Sequence, residues 1–105
     1  MIYNVFYSAE ARNDLRGIYE YIAYKLLEPK IAASQTKRIM EAVRSLKEIP
    51  MRHRLYEEEP WRTYGLRFMP VDNYLIFYLV NETTKVVNII RVIYGGRNIK
   101  TCLQS

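Results

Sequence analysis

Residues 61–97 read WRTYGLRFMPVDNYLIFYLVNETTKVVNIIRVIYGGR, three apolar runs parted by two short polar breaks, with basic residues spaced along them. The middle run, YLIFYLV at residues 74–80, is apolar without interruption. That is the pattern of a strand covered on both faces, in the middle of a sheet rather than at its edge. Residues 62–68 are expected to form the strand before it, with Leu66 and Phe68 on one face and Arg67 on the other. A turn at residues 70–73, a polar hairpin loop at 81–85 and a last strand at 86–94 complete the pattern, and Gly95 and Gly96 release the chain. Strands joined by connections this short are antiparallel neighbours, so the stretch predicts a three-stranded meander.

The chain before the meander must supply its cover. Residues 2–7 are rich in β-branched and aromatic side chains and predict a first strand, joined to the same sheet. Ser8 can cap a following helix, and Glu10 suits the positive end of its dipole. Leu15, Ile18, Tyr19, Ile22 and Leu26 recur at helical spacing and predict a helix over residues 9–27, with Arg12, Asp14, Arg16 and Glu20 elsewhere on the cylinder. Glu28 and Pro29 interrupt it, and Pro29 suits the first turn of a second helix that Pro50 stops. The inward stripe of this helix reads Ala32, Ala33, Thr36, Ile39, Met40, Val43 and Leu46. Residues 51–60 carry no apolar periodicity and read as a loop, and residues 98–105 as a short helical turn or a tail. The expected fold is α+β: an N-terminal strand, a two-helix antiparallel hairpin on one side of the sheet, then the meander, all in one domain spanning residues 1–105.

Sixteen Lys and Arg against eleven Asp and Glu give a net charge of +5, unevenly placed: residues 1–59 carry a net +1 and residues 60–105 a net +4. A basic sheet half fits an acidic partner, either nucleic acid or an acidic protein segment, or is simply a solvated basic surface. One cysteine, Cys102, excludes an internal disulfide, and with one histidine a metal centre is not expected, nor is any cofactor. The opening residues hold only a six-residue apolar-rich run before charges begin, so neither a secretory signal nor a membrane span is expected there, and the cytoplasm is the simplest compartment.

Arg62, Arg67, Arg91 and Arg97 are the residues of the meander best suited to phosphate or carboxylate. Arg91 interrupts the apolar run NIIRVIY, where an unpaired charge is costly, so an internal ion pair is its expected state. Alternation groups it with Val87, Ile89 and Ile93. Metal-free RNA cleavage needs a base, an acid and cations around one phosphate. Arg67 and Arg97 are candidates for the cations, and His53 and Tyr94 for the proton-transfer groups. Against this, His53 also reads as a solvated loop residue, Glu57, Glu58 and Glu59 as a soluble loop, and Tyr94 as an aromatic packed under the first helix.

The order of Tyr3, Val5, Ser8, Ala11, Asp14, Leu15, Ile18, Tyr21 and Ile22, followed by LKEIP at 46–50, GLR at 65–67, NYLIFY at 73–78 and RVIYGGRN at 91–98, resembles the RelE/ParE superfamily of bacterial toxins over nearly the whole chain. The resemblance implies the toxin half of a type II toxin–antitoxin pair of the plasmid-stabilisation type, with a cognate antitoxin as partner and operator DNA reached only through the antitoxin complex. RelE-like ribonucleases, which cut messenger RNA on the ribosome, carry an arginine where this chain has Leu75 and a tyrosine where it has Leu103, although Arg97 matches their arginine after the last strand. The ending RVIYGGRNIKTCL is similar to ParE-like toxins, whose target is DNA gyrase. The resemblance therefore implies a ParE-like growth inhibitor, with a ribosome-dependent mRNA endonuclease using Arg67, Arg97, Tyr94 and His53 as the alternative and a non-toxic basic binding module as a third.

Overall fold

The computed structural model describes residues 2–104 of the chain. In chain order the elements are strand β1 (Asn4–Tyr7), helix α1 (Ala9–Glu20) running on into a π-helical turn (Tyr21–Lys25), helix α2 (Pro29–Arg44), a short helix α3 (Trp61–Tyr64), strands β2 (Arg67–Val71), β3 (Tyr74–Asn81) and β4 (Val86–Tyr94), and helix α4 (Ile99–Gln104). The four strands form one sheet in the order β1-β4-β3-β2. The meander is antiparallel throughout, and β1 joins it parallel to β4. The expected α+β architecture is the observed one.

The uninterrupted apolar run 74–80 is explained by cover on both faces. Ile76, Phe77 and Tyr78 at the centre of β3 are all 0 % exposed. Ile76 and Tyr78 face the helical hairpin, where they meet Ile39 and Val43 of α2, Leu46 of the 3-10 turn Ser45–Lys47 that follows it, and Ala11 of α1. Phe77 faces the other way, into a second core closed by Tyr56, Trp61 and the α4 residues Ile99, Cys102 and Leu103. A buried Tyr must place its hydroxyl, and Tyr78 Oη donates to the Pro50 carbonyl at 2.6 Å.

Several local expectations change. Residues 61–64 are helical rather than the start of a strand: the Glu59 carboxylate accepts from the Thr63 backbone N–H at 2.9 Å and from its hydroxyl at 2.7 Å, which caps a turn. Gly65, at φ 81°, then reverses the chain into β2. Strand β2 continues through Pro70, a residue expected in the turn, because β2 is an edge strand and a missing N–H is tolerated there. The stripe of α2 is narrower than expected: Ala32, Ile39 and Val43 are buried, whereas Ala33 and Met40 face solvent, as does Leu26 beyond α1.

The alternation along β4 is broken. Phe77 stands opposite Arg91 and Tyr78 opposite Ile89, so Ile90 is an extra residue on β4. As a result Val87, Ile89 and Val92 pack toward the helices, while Ile90 and Ile93 pack into the second core. Arg91 therefore shares a face with Ile93 but not with Val87 and Ile89.

The internal ion pair expected of Arg91 is made with Asp14, a residue expected on the polar side of α1. Nε and Nη2 of Arg91 donate to the two carboxylate oxygens at 2.7 and 3.0 Å. Nη1 donates to the Cys102 carbonyl at 2.6 Å, and Asp14 also accepts from the Val92 backbone N–H at 2.9 Å. The two side chains are 15 % and 13 % exposed. The hydrogen bonds that Arg91 donates to Asp14 raise its pKa further above its ordinary value, so the guanidinium stays charged.

Removing one member of such a pair leaves the other without compensation. Asp14→Ala is expected to destabilise the fold by about 3 kcal/mol, and Asp14→Asn by less because the amide oxygen can still accept from Val92. Urea unfolding with both variants measures this, and an Asp14→Ala chain within 1 kcal/mol of the parent, on the order of an exposed pair, would contradict it.

Candidate functional site

An open concavity lies where α1, the start of α2 and one end of the sheet meet. It is a cleft of about 770 Å³ with Ile18, Ile22, Tyr74 and Val92 among its lining residues. Local backbone chemistry shapes it. The last turns of α1 widen, with the Leu26 N–H donating to the Tyr21 carbonyl at 3.1 Å and the Glu28 N–H to the Ile22 carbonyl at 3.0 Å. Insertions of this kind in helices recur at functional positions. Here the widening accompanies exposed apolar side chains at Tyr21, Leu26 and Ile31 beside the cleft.

The sheet end supplies the other wall. Tyr74 and Tyr94 are ladder partners, with ring centroids 5.9 Å apart. The Gly95 N–H donates to the Asn73 carbonyl at 2.8 Å and the Arg97 N–H to the Tyr94 carbonyl at 3.1 Å, a turn that carries Arg97 to the cleft. A Cβ at Gly96 would come within 2.5 Å of Tyr94 Cε2, so glycine there lets the Tyr94 ring fold back over the turn. Tyr94 itself is 49 % exposed and packs on Tyr74, not beneath α1 as one expectation had it. Burial, together with the neighbouring Tyr94 and Tyr21, raises the Tyr74 pKa, so its hydroxyl is a neutral donor rather than a base. Two charged residues line this cleft. Asp14 is engaged by Arg91, whereas Arg97 is exposed and has no side-chain partner among the described residues.

His53 and Arg67 meet at a different place. Arg67 Nη1 donates to the His53 carbonyl at 2.7 Å, and the His53 ring stands edge-on to Tyr78. His53 is half-buried rather than a freely solvated loop residue, and its Nε2 is buried without a hydrogen-bond partner. Loss of hydration, and secondarily the charge of Arg52, lower its pKa. A neutral imidazole shielded in this way is a weak proton donor.

The four candidates for RNA chemistry thus form two pairs, His53 with Arg67 and Tyr94 with Arg97. In the ladder Arg67 stands opposite Tyr78 and Tyr94 opposite Tyr74. Four residues along β3 correspond to ~13 Å, before the offset between outer strands is added. Leu75 and Leu103, at the two places where the ribonuclease resemblance calls for arginine and tyrosine, both pack into the second core. Asp14, Gly17, Tyr21 and Tyr74 line the cleft without having been singled out from sequence as site residues. Of these, only Gly17 carried a legible signal, a glycine in the middle of an otherwise regular helix.

The His53 environment has a definite pH consequence. A histidine whose folded pKa is depressed binds fewer protons folded than unfolded, so stability is complete above its unfolded pKa of about 6.5 and falls as pH drops from there through the lowered folded value. Denaturant midpoints measured between pH 7.5 and 5 are expected to decline more steeply for the parent chain than for His53→Asn. Identical pH profiles would remove His53 from the account.

A family model described as ParE toxin of type II toxin-antitoxin system, parDE, matches residues 5–99. No curated protein sequence matches the chain. Among solved structures, a chain of the chromosomal ParDE toxin–antitoxin system from P. aeruginosa superposes with a TM-score of 0.72 at 21 % identity, covering 89 % of this chain and 96 % of that one. A chain of the RelBE2 toxin–antitoxin complex from Mycobacterium tuberculosis gives a TM-score of 0.64 at 22 % identity, covering 90 % and 99 %. The archaeal RelE–RelB complex from Pyrococcus horikoshii gives 0.55 at 18 %, covering 93 % and 100 %. At these identities the structural likeness is one of fold. The family match spans nearly all of the chain, from β1 into α4, and the chain belongs to the ParE toxin family of type II toxin–antitoxin systems.

Proposed function

We propose that this chain inhibits growth by binding DNA gyrase, without chemistry of its own, and that a cognate antitoxin neutralises it. The observation that carries this reading is the separation of the two candidate pairs. Arg67 is tied to the His53 carbonyl near the middle of β3 while Arg97 lines the cleft at the sheet end, and this separation supports a reading without a shared phosphate site. General acid–base catalysis also needs a group whose pKa lies near the working pH. Tyr74 is shifted upward, Tyr78 is pushed up to about 12, and His53 is shifted downward. What the sheet end offers supports recognition instead: the neutral Tyr74 hydroxyl, exposed apolar side chains, and the Arg97 guanidinium, which has no side-chain partner among the described residues. Such groups suit a docking surface.

The antitoxin follows from the family and from the charge. A net charge of +5 favours an acidic partner, and complementary charge accelerates encounter and excludes wrong partners. The known structures that share this fold include toxin–antitoxin complexes from P. aeruginosa, M. tuberculosis and P. horikoshii, which supports the same arrangement here. Operator DNA is then approached by the antitoxin complex rather than by this chain alone.

Induction of the chain without its antitoxin is expected to arrest growth, and the purified chain to inhibit gyrase supercoiling in proportion to its concentration. Co-expression of the antitoxin should restore growth. Supercoiling that is unaffected at saturating toxin, with new messenger RNA ends in primer extension, would transfer the chain to the ribonuclease class. A folded chain with no growth effect would make it a binding module only.

A further inference from the structure

Ile49 carries a side chain that its place in the chain does not call for. Its backbone is left-handed, at φ 46° and ψ 58°. A β-branched residue is strained there, and a residue before proline is pushed toward extended backbone instead. The turn itself is imposed from both sides. Before it, the Lys47 carbonyl accepts from the Tyr3 N–H at 2.8 Å and Glu48 bridges to Ile2. After it, the carbonyl of the buried Pro50 accepts from Tyr78 Oη. Arg52 Nη1 fastens the inside, donating to the Ser45 and Ile49 carbonyls at 3.3 and 3.1 Å. Glycine or asparagine would make the same turn with less strain. The isoleucine side chain offsets none of that strain by burial, for it is 71 % exposed. Residues held in strain by their surroundings cluster where a protein meets a ligand or a partner.

The surroundings describe the partner. Ile49 lines a concavity of about 660 Å³ at the C-terminal end of α2, with the cations of Arg44, Lys47 and Arg52 and the carboxylates of Glu41 and Glu48. Arg44 and Lys47 are exposed and make no ion pair among the described residues. Arg44 stands ~20 Å along α2 from Ile31 of the sheet-end cleft, so the two concavities are separate. Nucleic acid fits this corner poorly, because most of its contacts fall on phosphates, which Glu41 and Glu48 repel. A second copy of the chain brings the same net charge of +5. A protein segment offering an apolar side chain to Ile49 and carboxylates to Arg44 and Lys47 answers both the exposed side chain and the unpaired cations. We propose that this corner is a second docking surface, which takes such an acidic segment of the target protein, gyrase, with Ile49 as the apolar anchor.

The inference rests on the gyrase reading above, and the test separates the two. Inhibition of supercoiling and binding to gyrase are measured for the parent, Ile49→Asn, Ile49→Gly and Lys47→Glu. Both Ile49 variants are expected to raise the half-inhibitory concentration by roughly tenfold or more, as loss of an anchor does. The thermal midpoints of the same free variants should equal or exceed that of the parent, because asparagine and glycine suit the left-handed turn. Weaker binding without loss of stability separates a lost contact from a damaged fold. Lys47→Glu should also weaken binding, with a smaller difference at high salt. Hydrogen exchange in the complex should protect residues 44–52. Inhibition by both Ile49 variants equal to that of the parent, or no protection of residues 44–52, would overturn the proposal and leave the gyrase reading in place. Binding of the parent to duplex DNA alone that Lys47→Glu abolishes, or a dimer of the free chain that Ile49→Asn dissociates, would overturn it by giving the corner another occupant. A parent chain without effect on supercoiling would overturn both readings.

Discussion

The contact on which most of the architecture depends is the one between Asp14 and Arg91. One carboxylate satisfies both the Arg91 guanidinium and the Val92 N–H, and the same guanidinium reaches the Cys102 carbonyl. Three elements are thereby joined: α1 on one side of the sheet, the outer edge of β4, and α4 on the opposite side. Each end of the contact answers a need. Among the described residues the β4 edge past Tyr7 has no strand beside it, because β1 pairs with residues 86–89, and a backbone N–H there requires an acceptor. Arg91 in a largely apolar strand requires a counter-charge. Apolar packing alone could place α1 in several rotations about its axis, but a bidentate ion pair admits one.

That rotation decides what the cleft looks like. With Asp14 turned to the sheet, Asn13, Gly17 and Tyr21 line the cleft, facing the Tyr74 and Tyr94 pair and Arg97. The extra residue Ile90 has a related effect. It shifts the phase of β4 so that Val92 points to the helices while Ile93 enters the second core, and Arg91 is brought to the α4 side. Where a regular strand would have set Arg91 under the helices among Val87 and Ile89, the bulge frees it to bridge two layers. The shape of the cleft is therefore a product of a bulge, a π-turn and an ion pair.

Much of the fold was legible because it depends on short-range periodicity. Apolar continuity placed β3 and β4 within a residue of their observed limits, and Ser8 was readable as a cap, with its Oγ accepting from the Ala11 N–H at 3.0 Å. The start of β2 was misplaced because Trp61, Thr63 and Tyr64 favour strands intrinsically, whereas the capping carboxylate of Glu59 imposes a helical turn. Candidate site residues fared differently. Arg67, His53, Tyr94 and Arg97 were recognisable by side-chain chemistry, yet their grouping into two distant pairs depends on strand order and ladder register.

Sequence by itself therefore determined the elements, their order, the antiparallel meander and the kinship to a toxin family, since helix and strand periods and turn residues act over a few positions. Tertiary structure decided that Asp14 is the partner of Arg91, two residues 77 positions apart, and that Leu75 and Leu103 are core residues below the sheet. It also decided that the open cleft lies at the Tyr94 end. The physical reason is common to all three: each depends on which faces meet across the sheet, and that is fixed by register, bulge and ion pairing between segments far apart in the chain.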